Sequence, residues 1–342
     1  MHKILEMSAI EFNPIQNEYL AWIDSRIRTG ASVTRMNAEL AAAHLLSDGP
    51  QTVDEWFDKS YAGFLGEVES KPLHPENGLF AITFGIHAGA HCDLDETLVL
   101  YARNPIRRIA RINAEKSHSH GFRLREFAVG EDNPSRGRMI GSAWVASNCT
   151  STWNGNSFRI DLLRGRSLEN VLDEGVGAHY DDELRISIEG ETITFNYTTG
   201  TGDSSVLTRT AIARYRVQEG RAIRQAPLAP SYGGFIDEWL GMDDTEATRW
   251  SSQEAAVQHH DAAAKSQKNI FTWEHAADCP GPPHAREIAV RWNDSKQVTV
   301  FLITSSSAAE MRMLSVSNKR SPACREIDIE HDLGSIMAEP SK

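Results

Sequence analysis

The sequence predicts a mainly β protein of repeated four-stranded meanders, β-propeller-like, with an N-terminal helical hairpin and a helical insertion. A β-sandwich or an α+β two-domain chain is the alternative. Three observations carry the prediction. From Leu79 to Val217 short alternating apolar runs are separated by Gly, Asn, Asp and Pro, the signature of strands and turns. The runs then repeat: Gly141-Ser-Ala-Trp-Val, Ser157-Phe-Arg-Ile and Glu169-Asn-Val-Leu recur as Thr192-Ile-Thr-Phe, Thr210-Ala-Ile-Ala and Arg221-Ala-Ile-Arg at a nearly constant offset. The same spacing precedes them in Phe80-Ala-Ile-Thr, Thr97-Leu-Val-Leu and Arg107-Arg-Ile-Ala, and four strands per about 40–60 residues is the size of a propeller blade.

The elements follow in chain order. Residues 1–72 read as an N-terminal helical segment, because Leu20, Ile23 and Ile27 recur at helical spacing, as do Val33, Met36 and Leu40 after Gly30 and a Ser32 cap. Trp56, Phe57, Phe64 and Leu65 continue an apolar stretch to Lys71-Pro72. Residues 73–230 are the repeated β units. Phe158, Ile160 and Leu162 alternate with Arg159 and Asp161; Leu184, Ile186 and Ile188 do the same, and Ile193, Phe195 and Tyr197 follow across Gly190 as the second arm of a hairpin. Phe122-Arg-Leu-Arg and Glu183-Leu-Arg-Ile supply first strands for the second and third units. Residues 231–268 are the helical insertion, where Phe235 and Trp239, and Ile236 and Leu240, are one turn apart, followed by a helical run from Glu254 to Lys265. Those four large side chains are expected to pack against strands. Residues 269–332 hold a last set of four strands, either a further unit or a small α+β domain, and residues 333–342 are a polar tail.

Composition removes several function classes. The 342 residues are 40% hydrophobic and 24% charged, enough apolar material for a sizeable core and unlike a disordered chain. A net charge of −12 opposes binding to phosphate backbones, so nucleic acid is not an expected partner. The densest basic stretch, Arg103 to Arg111, interleaves Arg with Ile106 and Ile109 and reads as a strand with one solvated face. No run approaches the roughly 18–20 apolar residues of a membrane span, and Glu6 and Glu11 interrupt the N-terminus before a signal-peptide core forms.

Four cysteines, Cys92, Cys149, Cys279 and Cys324, form no C-x-x-C pair, which excludes a zinc ribbon. Cys92 and Cys149 fall in equivalent connections of adjacent units, and Cys279 and Cys324 bracket the final strand set. The expected pairing is therefore Cys92–Cys149 and Cys279–Cys324, which would imply an oxidising, extracytoplasmic compartment. Four cytosolic thiols are the alternative.

Candidate chemistry gathers in the loops. His87-Ala-Gly-Ala-His91-Cys92-Asp93-Leu-Asp95-Glu96 packs imidazole, thiol and carboxylate donors of the kind zinc takes, with His87, His91 and Asp93 the metal candidates. Gly85 and Gly89 make this a loop and not a helical metalloprotease motif. His275, Asp278, Cys279 and His284 surround a stiff Pro280-Gly-Pro-Pro turn and form a second, weaker donor group. No G-x-S-x-G elbow is present, and neither Cys92 nor Cys149 has an evident base partner. A different chemistry is offered by Asn148, Ser151, Trp153 and Asn154, whose amides, hydroxyl and indole suit a sugar or a protein surface. Thr199 and Asp203 occupy the matching connection of the third unit. The expectation is a non-catalytic binding or interaction protein that uses these inter-strand loops for a protein or carbohydrate ligand and needs no cofactor. The alternative is a metal-dependent hydrolase, with zinc, centred on His87, His91 and Asp93.

Overall fold

The computed structural model describes residues 9–47, 65–71, 73, 78–87, 94–114, 122–146, 153–179, 184–201, 204–225, 231–269, 271–282, 284–293, 297–307 and 310–327. The chain is mainly β, and among the described residues its strands form four sheets: β1-β2-β3-β4, β5-β6-β7-β8, β12-β11-β10-β9 and β16-β15-β14-β13-β17. The first comprises β1 (Glu69–Lys71), β2 (Leu79–His87), β3 (Leu94–Arg103) and β4 (Ile106–Ile112). The second comprises β5 (Phe122–Asn133), β6 (Gly137–Ala146), β7 (Trp153–Arg164) and β8 (Ser167–His179). The third comprises β9 (Arg185–Glu189), β10 (Thr192–Thr201), β11 (Ser204–Gln218) and β12 (Arg221–Arg224). The fourth comprises β13 (Phe271–Asp278), β14 (Arg286–Trp292), β15 (Val298–Ser307), β16 (Glu310–Ser317) and the added edge strand β17 (Arg325–Ile327). Each of the first three is a four-stranded meander in sequence order, as the repeat in the sequence predicts, and none of the sheets closes into a barrel. By contacts the chain divides into two compact units, Met1–Val176 with Ile188–Gly190 and Glu219–Ala222, and Gly177–Ser187 with Glu191–Gln218 and Ile223–Lys342.

The first unit packs in layers. Alternation along β3 sends Val99 and Tyr101 toward helices α1 (Ala9–Arg28) and α2 (Val33–Ser47), and Leu98 and Leu100 toward the second sheet. The helices return Tyr19, Leu20, Ile23, Ile27, Met36 and Leu40, all buried, so the helical spacing seen in the sequence is the spacing of this contact. Gly30 makes the turn between them at a φ of +80°, where a side chain would be strained. On the other face Trp144, Ile140 and Leu163 meet Leu98, Leu100 and Ile112. The buried Trp144 keeps its indole N–H bonded to Ser142 Oγ at 2.8 Å, so the ring contributes apolar area without an orphaned donor. Gly137 is required where β6 begins, since its φ is +84° and a Cβ would stand 2.5 Å from the Leu163 carbonyl oxygen.

In the third sheet β10 and β11 pair from Thr192↔Arg216 to Thr201↔Ser204, with an irregularity at Gly200/Thr201. Ile193, Phe195 and Tyr197 face inward with Ala211, Ala213 and Tyr215, the period-two pattern read from the sequence.

The fourth sheet is covered on one face by α3 (Tyr232–Gly241), α4 (Asp244–Arg249) and α5 (Gln253–Ser266). Ser231, Asp243 and Ser252 cap the three helices, each side chain accepting a backbone N–H of the first turn. Phe235, Ile236, Trp239 and Leu240 lie buried against Phe271, Ile288, Val290, Trp292 and Phe301, the packing expected from their spacing. Full burial of each such side chain stabilises by roughly 1.5–3 kcal/mol. The Trp239 indole N–H donates to Ser251 Oγ at 2.8 Å, and its ring stands edge-on to Phe301 and His259. α4, a single short helix, has no counterpart in the sequence reading. Cys279 and Cys324 form a disulfide across a separation of 45 residues, one of the two pairs expected. Cys92 and Cys149 lie outside the described residues. No helix among the described residues is long and apolar enough to cross a membrane.

Candidate functional site

The second-to-third strand connection of a meander is β2–β3 in the first sheet, β6–β7 in the second and β10–β11 in the third. These are the connections that carry the candidate loop residues. His87 is the last residue of β2 and pairs with Leu94 across the mouth of the first connection, while His91 and Asp93 lie outside the described residues. Asn148, Ser151 and Asp203 also lie outside them. Trp153 and Asn154 open β7. Thr199 is half-buried in β10 opposite Arg209, with its side chain already engaged in the fold. Among the described residues, the structure therefore places the strand ends that carry these groups and does not assemble the groups themselves.

Within the first unit those strand ends are brought together by specific bonds. Asp95, one residue into β3, is buried and accepts from Gln16 Nε2 of α1 at 2.6 Å and from the Phe122 amide at 3.5 Å. Glu96 accepts from the Leu124 amide at 2.6 Å. Phe122 and Leu124 begin β5, where they pair with Ala146 and Trp144 at the end of β6. The exit of β6 and the entry of β3 thus share one end of the two packed sheets. Burial pushes the Glu96 carboxyl above its ordinary value, against the opposing pull of the Leu124 amide and the positive charges of Arg123 and Lys71.

A polar network continues from this end into both sheets. Arg111 donates to Gln16 Oε1 at 2.9 Å and Asn17 Oδ1 at 2.5 Å through its Nη atoms, and to Asn113 Oδ1 at 3.1 Å through Nε. Arg108 pairs with Asp24 at 3.0 Å. The face of the basic stretch that the sequence suggests is solvated is instead partly occupied by α1, and burial lowers the Arg111 pKa from its usual value. Asn113 passes the network on: its Nδ2 donates to Thr97 Oγ1 at 2.8 Å and its carbonyl accepts from Arg159 Nη1 at 3.1 Å. Arg159 then forks onto the fully buried Asp161, Nε and Nη2 donating at 2.8 and 2.9 Å, and Asp173 accepts from Ser157 Oγ at 2.6 Å nearby. A guanidinium that spends its fork on a buried carboxylate is a brace, and bidentate geometry fixes it in direction as well as distance.

The sequence supplied half of this network without revealing its use. Asp95 and Glu96 belong to the donor-rich stretch that begins at His87, but their carboxylates bind α1 and β5. Arg159 and Asp161 appeared only as the polar half of an alternating strand. Gln16 had no local signal, because its role depends on a contact with a strand far away in sequence. No protein-family model matches the chain, and no curated protein sequence matches it.

Proposed function

We propose that the chain is a non-catalytic binding protein that holds its ligand on second-to-third strand connections of its propeller-like, four-stranded meanders. The observation that carries the reading is the convergence, in the first unit, of strand ends that carry two of those connections. The strand ends from which residues 88–93 and 147–152 leave are fastened at one end of the packed sheets by Asp95, Glu96 and their backbone partners. Strand ends fastened to one another make a base that suits recognition, since ordering costs are met by the scaffold and not by the ligand. The loop chemistry supports a carbohydrate or protein ligand, with Trp153 as the stacking platform and Asn148, Ser151 and Asn154 as hydrogen-bonding groups in the first unit, while Thr199 and Asp203 offer such groups separately in the second.

The test is a glycan array followed by titration of tryptophan fluorescence with any oligosaccharide that binds, repeated on a Trp153→Ala, Asn154→Ala variant. Saturable quenching that the variant loses at an unchanged melting temperature supports the reading. A panel of glycans that leaves the fluorescence unmoved removes the carbohydrate ligand. The metal-dependent hydrolase centred on His87, His91 and Asp93 is separated by metal analysis of the unreduced protein: stoichiometric zinc that is lost in His91→Ala replaces the binding reading with the enzymatic one.

A further inference from the structure

In the second unit Cys279 and Cys324 are half-buried and Glu287 is buried, and their two sulfurs and a carboxylate oxygen all lie within 4.8 Å of one another. Sheet register explains the convergence. β13 lies between β14 and β17, with Ala277 opposite Glu287 on one side and opposite Glu326 on the other. Residues two apart on a strand share a face, so His275 and Cys279 stand on the face of Ala277, joined by Glu287 from β14 and by Cys324 just ahead of β17. The fully buried Ala277 contributes only a methyl group, which leaves room for longer side chains to meet above it.

A disulfide is uncharged and has no use for a carboxylate beneath it. Glu287 Oε2 accepts from the Ser321 amide at 2.8 Å, yet Oε1 is buried without a hydrogen-bond partner, 3.9 Å from His275 Nε2. His275 Nδ1 is buried and likewise makes no hydrogen bond, with Glu326 Oε1 at 3.4 Å. A buried carboxylate with an open oxygen is costly unless positive charge joins it.

We propose that this corner is a redox-gated zinc site. Cys279, Cys324 and Glu287 become ligands when the disulfide is reduced, and the His275 ring, whose Nε2 stands 3.9 Å from Glu287 Oε1, turns toward the sulfurs to supply the fourth. Two thiolates with a carboxylate and an imidazole form a donor set that suits zinc. Opening the site takes two electrons from a small-molecule dithiol: one of its sulfurs attacks the bridge to give a mixed disulfide, the second displaces it, and the reagent leaves as a cyclic disulfide with both cysteines free as thiols. Zinc then replaces the two thiol protons, which pass to solvent. Both cysteines are half-buried and not enclosed, which favours the approach of a small reductant. In the oxidised protein β17 pairs with β13 through Ala276↔Ile327, Ala277↔Glu326 and Asp278↔Arg325, which sets Cys324 beside Cys279, and bound zinc takes over the tie that the open bond gives up. The site does not depend on the loop reading above.

The experiment uses the full chain, reduced with excess dithiothreitol, desalted without oxygen and titrated with Co²⁺ and then Zn²⁺, with circular dichroism recorded throughout. The reduced protein should take up one zinc per chain more than the oxidised protein. Its cobalt form should show a thiolate charge-transfer band that Cys279→Ser lacks. Glu287→Gln should weaken zinc binding by about tenfold or more with the far-ultraviolet spectrum unchanged. A bridge that dithiothreitol cannot open in the native protein overturns the proposal. So does a reduced chain, folded or unfolded, that takes up neither metal, and so does zinc uptake that survives Cys279→Ser or is unaffected by Glu287→Gln.

Discussion

Two buried polar clusters in this chain are built on opposite terms. In the first unit Asp161 receives both arms of the Arg159 fork, and Asp95 is held by Gln16, which is itself held by Arg111. In the second unit Glu287 is just as deeply buried, but one of its oxygens and one nitrogen of the neighbouring His275 make no hydrogen bond. The difference teaches how to sort such clusters. Where donors take both oxygens of a buried carboxylate, as at Asp161, the group is part of the frame; where one oxygen is left without a hydrogen bond beside reactive sulfurs, as at Glu287, the fold retains a group that an outside cation can satisfy.

Breaking the frame should cost most. Asp161→Ala leaves the Arg159 guanidinium without its fork partner inside the first unit, and a loss of about 3–5 kcal/mol is expected in urea denaturation. A loss below about 1 kcal/mol would show that Asp173 takes over the pairing, and the contrast with Glu287 would shrink accordingly. Trp239→Ala probes the opposite face of the fourth sheet, where a cavity between α3 and Phe301 should cost about 3–5 kcal/mol. An unchanged melting temperature would take α3 out of that core.

Glu287→Gln sharpens the contrast from the other side. The amide keeps an oxygen for the Ser321 N–H and removes a charge that no hydrogen bond satisfies at Oε1. In the oxidised protein the change should stay within about 1 kcal/mol of the parent or raise stability, because the one ionic contact of Oε1, with His275 at 3.9 Å, is long and makes no hydrogen bond to offset the burial of the charge. A clear loss in thermal denaturation would mean that the carboxylate has a partner, and the comparison would fail. The same variant should weaken zinc binding after reduction by about tenfold or more, so its stability and its metal affinity are expected to part company.

The smallest effect concerns Asp244, the partnered carboxylate of the second unit. Its pKa is lowered, first by the hydrogen bond with His259, at 2.6 Å, and also by the one with His260, at 3.2 Å. A carboxyl whose folded pKa lies below its unfolded one contributes stability that is present above the unfolded value and lost as pH falls through the folded value. Wild-type protein should therefore exceed Asp244→Asn in melting temperature at about pH 5, and the two should converge as pH drops below the ordinary carboxylate range of about 3.9. Parallel curves over that interval would detach Asp244 from the acid transition.

Much of the frame was legible in the sequence because it follows from period. Phe158, Ile160 and Leu162 all point one way along β7, and a period of two survives whatever lies on the far side. The repeat spacing placed the strands of the meanders, and the helical spacing of Phe235 to Leu240 gave both α3 and its buried face. What could not be read depends on pairing between distant strands. His275, Asp278, Cys279 and His284 look like one local group, but Asp278 binds Arg286, His284 is exposed, and the partners of Cys279 arrive from β14 and the approach to β17. β17 itself is three residues long, too short for any periodicity. His259 stands in an exposed-looking helix, yet it is buried because its two ring nitrogens meet Asp244 and the Trp239 carbonyl.

The three residues of β17 also bear on how this protein survives at high concentration. Sheet edges are templates for pairing with another chain, and both sides of the fourth sheet are partly covered: Met313 of β16 exchanges backbone bonds with Trp250 and Ser252, and Ala276 to Asp278 of β13 pair with β17. A strand that short gains little from its own hydrogen bonds and is held against β13 by the neighbouring Cys279–Cys324 bond. Severing that bond without supplying a metal would loosen the cover and present the N–H and C=O row of β13 to other molecules, so the oxidation state of one pair of sulfurs also governs resistance to aggregation.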